Sequence, residues 1–151
     1  MQLQVKAIGT VHSPVTEGVD DNWGSVVSEI EVDDWLAPGL QGLEEFSHLT
    51  VVFYMHESSF SRASDLVRRP QGREDMPMLG IFCQRAKHRP NPIGITAVKL
   101  LAVEGNRLHV QGLDAIDGTP VLDIKPYFPP FDRRDDATTP EWVGRLMETY
   151  F

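Results

Sequence analysis

Ile95-Thr-Ala-Val-Lys-Leu-Leu-Ala-Val-Glu-Gly-Asn-Arg-Leu-His-Val-Gln-Gly-Leu113 is the stretch that decides the fold. Two apolar-rich runs, Ile95 to Glu104 and Arg107 to Leu113, flank Gly105-Asn106, a pair suited to a two-residue hairpin turn. Moving outward, Val26 to Val32 sets Val26, Ser28, Ile30 and Val32 against Val27, Glu29 and Glu31, which reads as a half-buried strand. Leu49 to Met55 is almost continuously apolar and of strand length, as a central strand would be. Leu3 to Val11, Leu79 to Cys83 and Val121 to Ile124 supply further short strands. Leu40 to Phe46 suits one or two helical turns after the Pro38-Gly39 turn. Near the end, Thr139 can cap a helix, Pro140 suits its first position, and Trp142, Leu146 and Tyr150 share one face. Several short strands and few helices predict a mainly β fold, a barrel or sandwich with a C-terminal helix at about 140–150.

At 151 residues the chain fits one domain, with a core over about 7–132, and 41% hydrophobic residues can fill it. No apolar run reaches the roughly 20 residues needed to span a bilayer, and Met1 to Ala7 does not read as a secretory signal. The cytoplasm is the expected location, with no membrane partner. Cys83 is the only cysteine and lies in an apolar run, which predicts a buried, inert thiol. His12, His48, His56, His88 and His109 are scattered, so nothing local calls for a metal. The net charge of −8 disfavours long-range attraction to nucleic acid. Yet nine of the fourteen Lys and Arg residues lie between Arg62 and Arg107, so the middle is locally basic.

Four segments carry candidate chemistry. Arg85-Ala-Lys-His-Arg-Pro-Asn-Pro-Ile-Gly94 combines a stiff backbone with planar cations suited to a carboxylate or phosphate, or it is a rigid connection with solvated arginines. Asp114-Ala-Ile-Asp-Gly-Thr-Pro120 offers carboxylates that could accept from a sugar diol, or it is a turn. In Leu122-Asp-Ile-Lys-Pro-Tyr127, Asp123 and Lys125 share a strand face and can pair with each other. His56-Glu57 ends the central strand and lines a pocket or meets solvent. Ser58 to Pro77, rich in Ser, Arg and Pro, reads as a long surface flap.

Taken in order, these motifs resemble the TsaA-like, or TrmO, family. The resemblance runs from Ile8-Gly9 and Ser13-Pro14 through Gly42-Leu43, Phe46-Ser-His48, Gly80-Ile-Phe82, Arg85 and Arg89-Pro-Asn-Pro-Ile-Gly94. It continues through Gly112-Leu-Asp114 and Asp117-Gly-Thr-Pro120 to Leu122-Asp-Ile-Lys-Pro-Tyr127. It implies a small β-barrel methyltransferase that uses S-adenosyl-L-methionine, forms homodimers and methylates N6 of threonylcarbamoyladenosine beside the tRNA anticodon. Carried over residue by residue, the cofactor site would take Trp23, Gly24, Ser25, His56, Glu57, Arg85, Ile95, Asp114, Ala115, Ile116 and Asp117. Asp20-Asp-Asn-Trp-Gly24 departs from the Pro-Arg-Gln-Gly-like pattern usual there. Asp117, Asp123 and Tyr127 are the candidate catalytic residues, each able to help remove a proton from the acceptor nitrogen. Arg89, Lys87 and the flap arginines could hold RNA phosphate. A methyltransferase of small molecules and a non-catalytic S-adenosylmethionine-binding regulator are the alternatives.

Overall fold

A computed structural model describes residues 1–151. Its centre is a closed antiparallel barrel. The strands are β1 (Gly9–His12), β2 (Val27–Val32), β3 (His48–Tyr54), β6 (Ile93–Glu104), β7 (Arg107–Gln111) and β8 (Pro120–Pro126). They close in the order β1-β2-β7-β6-β3-β8. The stretch that decides the fold is the β6–β7 hairpin, with Glu104 opposite Arg107 and Gly105 at φ 62 in the turn. Glycine adopts that left-handed conformation without a side-chain clash.

The alternation read in β2 holds. Ser28, Ile30 and Val32 point inward, and Val27 points out. Val11, Ile30, Leu49, Val51, Val98, Leu108, Val110 and Val121 fill the barrel at 0–1% exposure. Closure leaves no free barrel edge, and the backbone hydrogen bonds of the ladder are satisfied internally. Two glycines let chains approach closely. A Cβ on Gly9 would lie 2.4 Å from the Glu31 carbonyl oxygen, and one on Gly94 would lie 2.4 Å from the Phe53 ring.

Several local expectations change. The first strand is only Gly9–His12, because residues before Ile8 make no ladder pairing and stand exposed. The run at Leu79 is a two-residue strand, β5 (Leu79–Gly80), followed by a single helical turn, Ile81–Cys83. That turn carries Ile81 inward and leaves Cys83 exposed, so the thiol is not buried as its apolar neighbours suggested. The flap is partly structured. It holds α1 (Arg62–Asp65) and β4 (Val67–Arg68), and β4 pairs with β5. Gln84 ties this hairpin together by donating to the carbonyls of Arg68 and Leu79 at 2.7 and 3.1 Å. After α2 (Pro129–Asp132) comes α3 (Glu141–Met147), preceded by Pro140 in an extended conformation at the cap position. Thr139 therefore makes no cap. No helix is long and apolar enough to cross a membrane.

Candidate functional site

Antiparallel closure sorts the connections between strands onto two ends of the barrel. At one end β1, β3 and β7 finish and β2, β6 and β8 begin. The loop Trp23–Ser25 enters β2 there, and His56-Glu57 leaves β3 there. Arg85 and Ile95 precede and begin β6, and Asp114–Asp117 joins β7 to β8. All the residues carried over for the cofactor thus lie at a single end, although they span more than ninety positions in sequence.

The turn Asp114–Gly118 is pinned from several sides. The Asp117 N–H donates to the Val15 carbonyl at 2.8 Å, and its carboxylate accepts the Ser13 N–H at 3.0 Å. The Gly118 N–H donates to the Val11 carbonyl at 2.8 Å. The Thr119 hydroxyl donates to the Ile116 carbonyl at 2.7 Å. Ala115 is buried, Ile116 half-buried and Asp117 exposed. Gly118, at φ 83, faces His56, so that a Cβ there would sit 3.9 Å from Nε2. His56 Nδ1 is buried without a hydrogen-bond partner, and Glu57 is exposed.

Arg85 is exposed, with one guanidinium N–H spent on the Ile95 carbonyl at 2.7 Å. That bond fixes the guanidinium beside β6 and leaves its other donors free. Ile95 points outward at 51% exposure, next to Ile93 and across from Tyr54 and Val52. Trp23 is 2% exposed and donates from Nε1 to the Val19 carbonyl at 3.0 Å. Gly24 offers its carbonyl to Gln111 at 3.1 Å, and Ser25 is exposed.

Asp114 is a half-buried carboxylate held at both oxygens. Its Oδ1 accepts the Thr96 hydroxyl and its Oδ2 accepts the Tyr150 phenol. Burial, and then the charge of Asp114, push the Tyr150 phenol well above its ordinary pKa, so it stays a neutral donor. Thr96 and Tyr150 were not among the residues picked out for chemistry. The inward register of β6 could have marked Thr96, but the helical stripe marks Tyr150 only as a packing residue.

The three candidate bases do not stand together. Asp117 is with the cluster. Asp123, midway along β8, pairs with Lys125 at 2.9 Å and is half-exposed, as their shared face suggested. Tyr127 follows the far end of β8, where its N–H donates to the His48 carbonyl at 3.0 Å. There it lines an open groove of about 410 Å³ with Phe46, Phe128 and Phe131. Among the basic residues, Arg69 donates to the Met76 carbonyl, and Arg89 donates to the carbonyls of Gln84 and Ala86. Arg73 pairs with Asp75, which Arg145 of α3 also contacts at 2.9 Å.

The chain is similar to several known proteins. The family model for the tRNA-methyltransferase O N-terminal domain matches residues 18–133. A probable S-adenosyl-L-methionine-binding protein of Pyrococcus abyssi is 38% identical over 91% of this chain and 74% of its own length. An S-adenosyl-L-methionine-binding protein of Archaeoglobus fulgidus is 39% identical over 85% of this chain and 91% of its own. The tRNA (adenine(37)-N6)-methyltransferase of Mus musculus is 46% identical over 62% of this chain, which spans only 21% of the mouse protein. A crystal structure of TrmO from P. aeruginosa superposes with a TM-score of 0.77 at 33% identity, over 94% of this chain and 62% of that one.

Proposed function

Given that this chain belongs to the tRNA-methyltransferase O N-terminal domain family, we propose that it binds S-adenosyl-L-methionine at the Asp114 end of the barrel and methylates N6 of threonylcarbamoyladenosine beside the tRNA anticodon. The observation that carries the reading is the convergence of the Trp23, His56, Arg85 and Asp114 segments on one end of a closed barrel. The donor set suits the cofactor. Arg85 has free guanidinium donors for the amino-acid carboxylate, and Asp114 has acceptor capacity left for a ribose diol or the amine. The backbone of Ala115 and Ile116 would meet the adenine edge, and the orphaned Nδ1 of His56 would find a polar partner. Trp23, Gly24 and Ser25 would wall the same end, with Glu57 and Ile95 on its rim.

The cofactor brings a methyl group activated on a sulfonium. What the chain adds is orientation, since in-line displacement depends on holding the two reacting atoms in register. The N6 nitrogen must also shed a proton as its bond to the methyl forms. Asp117, exposed at the rim, is the proton acceptor the geometry favours over Asp123, which is tied to Lys125, and over Tyr127 at the far end. Lys87, Arg62 and the unspent donors of Arg89 would meet RNA phosphate. The outward apolar strip of Tyr54, Ile93 and Ile95 suits the face of a homodimer.

The test uses purified protein, labelled S-adenosyl-L-methionine and threonylcarbamoylated tRNA. Label on N6 of that base supports the reading. Turnover with label only on a small metabolite replaces the acceptor, and binding without turnover makes the protein a sensor. The acidic surface and the arginines already tied to their own chain favour the small-molecule acceptor as the second reading.

A further inference from the structure

The last residues of the chain reach the candidate site although the sequence marks Tyr150 only as part of a packing stripe. Asn22 N–H donates to the Thr149 carbonyl and Trp23 N–H to the Tyr150 carbonyl, each at 2.8 Å. A Cβ on Gly24 would lie 2.7 Å from the Phe151 carbonyl carbon, so the glycine is what lets this segment lie flat on the loop. The Phe151 ring stacks edge-on against Tyr150 with centroids 4.9 Å apart. These contacts set the position of the Tyr150 phenol independently of the bond it makes to Asp114.

We infer that Tyr150 is a positioning residue that fixes the Asp114 carboxylate for the cofactor, acting with Thr96, which holds the other oxygen. This rests on the site proposed above. A carboxylate held at one oxygen can rotate about its Cβ–Cγ bond; held at both, by hydroxyls anchored on separate elements, it cannot. Both hydroxyls donate, so the carboxylate is kept as an acceptor. An ionised carboxylate has about four acceptor positions, and two are left for a diol or an ammonium group. Preorganising a binding group in this way lowers the cost of ordering it when ligand arrives. The same segment touches the Trp23–Gly24 loop and Asp114 at once, which couples two parts of the site that are ninety residues apart in sequence.

The test is a double-mutant cycle in the full chain with Tyr150→Phe, Asp114→Asn and the pair, reading S-adenosyl-L-methionine affinity by calorimetry and kcat at saturating cofactor. Tyr150→Phe keeps the ring and removes only the hydroxyl. Its expected effect is about fivefold weaker binding, the scale of one hydrogen bond, with kcat changed by less than about twofold. Asp114→Asn is expected to weaken binding about tenfold or more, and the pair to bind no more weakly than Asp114→Asn alone. A purely structural tyrosine would instead add its effect to that of Asp114→Asn. Additivity, unchanged affinity in Tyr150→Phe, or tighter binding because the segment competes with cofactor would each overturn the inference while leaving the site intact. Unchanged affinity in Asp114→Asn would overturn the site reading itself, and the inference with it.

Discussion

The two ends of this barrel are made from the same six strands and finished differently. At the Asp114 end the connections are long, and they bond to one another across the opening: Ser13 and Val15 to Asp117, Val11 to Gly118, Gln111 to Gly24, and the chain's last residues to Asn22 and Trp23. At the opposite end one connection is the two-residue Gly105-Asn106 turn. The groove there is walled by Phe46, Phe128 and Phe131, and its bonds are mostly backbone to backbone. A closed barrel fixes strand ends rigidly but leaves little freedom inside for a ligand, because side chains fill it. Chemistry therefore has to be assembled where connections are long enough to carry carboxylates and cations toward one another. Three connections meet it at the first end; the opposite end has one long connection between strands, residues 33–47, which carries carboxylates and no cation.

The barrel is common ground, and damage to it should erase the contrast. Leu108 is fully buried, and Leu108→Ala is expected to cost about 2–5 kcal/mol in chemical denaturation. Ligand binding should fall with the folded fraction and show no preference for either end. A sharper break comes from substituting at one end only. Arg85→Ala should weaken S-adenosyl-L-methionine binding at least about tenfold, as loss of a charge-assisted contact does. Phe131→Ala, 72% exposed in the far groove, should leave it unchanged in the same calorimetric titration.

Smaller effects follow from the ionisable groups. The folded chain holds the Tyr150 proton where an unfolded chain releases it, because the phenol is raised above its ordinary value of 10.0. Its contribution to stability is thus fully present below about pH 10 and is lost as pH rises beyond that. Melting curves of the wild type and Tyr150→Phe should converge above that pH and stay apart below it. Smallest of all, Lys125→Ala should change stability by less than about 1 kcal/mol, since its pair with Asp123 is exposed and screened.

Much of the fold was legible because period and punctuation agree with it. The β6–β7 hairpin needed only its Gly-Asn turn, and β2 only its alternation. What escaped depended on partners distant in sequence. Leu3 to Val5 has strand composition but no neighbouring strand to pair with, so it stays outside the ladder. Cys83 sits among apolar residues, yet a helical turn aims it away from the core that takes Ile81. The motifs of the candidate site were legible through resemblance, and barrel closure brings them to one end. Thr96 and Tyr150 were invisible as site residues because a hydroxyl's role depends on what stands opposite it. Asp117 and Tyr127, ten positions apart, are both candidate bases by sequence, but β8 carries them to opposite ends of the barrel.

On the proposed function, S-adenosyl-L-methionine binds at the Asp114 end. Backbone amide shifts of labelled protein titrated with S-adenosyl-L-methionine test it most directly. The expected result is saturable shifts confined to Trp23–Ser25, His56, Arg85, Ile95 and Asp114–Asp117, with the far groove still. Shifts concentrated at Phe46, Tyr127 and Phe131 while the Asp114 end stays silent would contradict it.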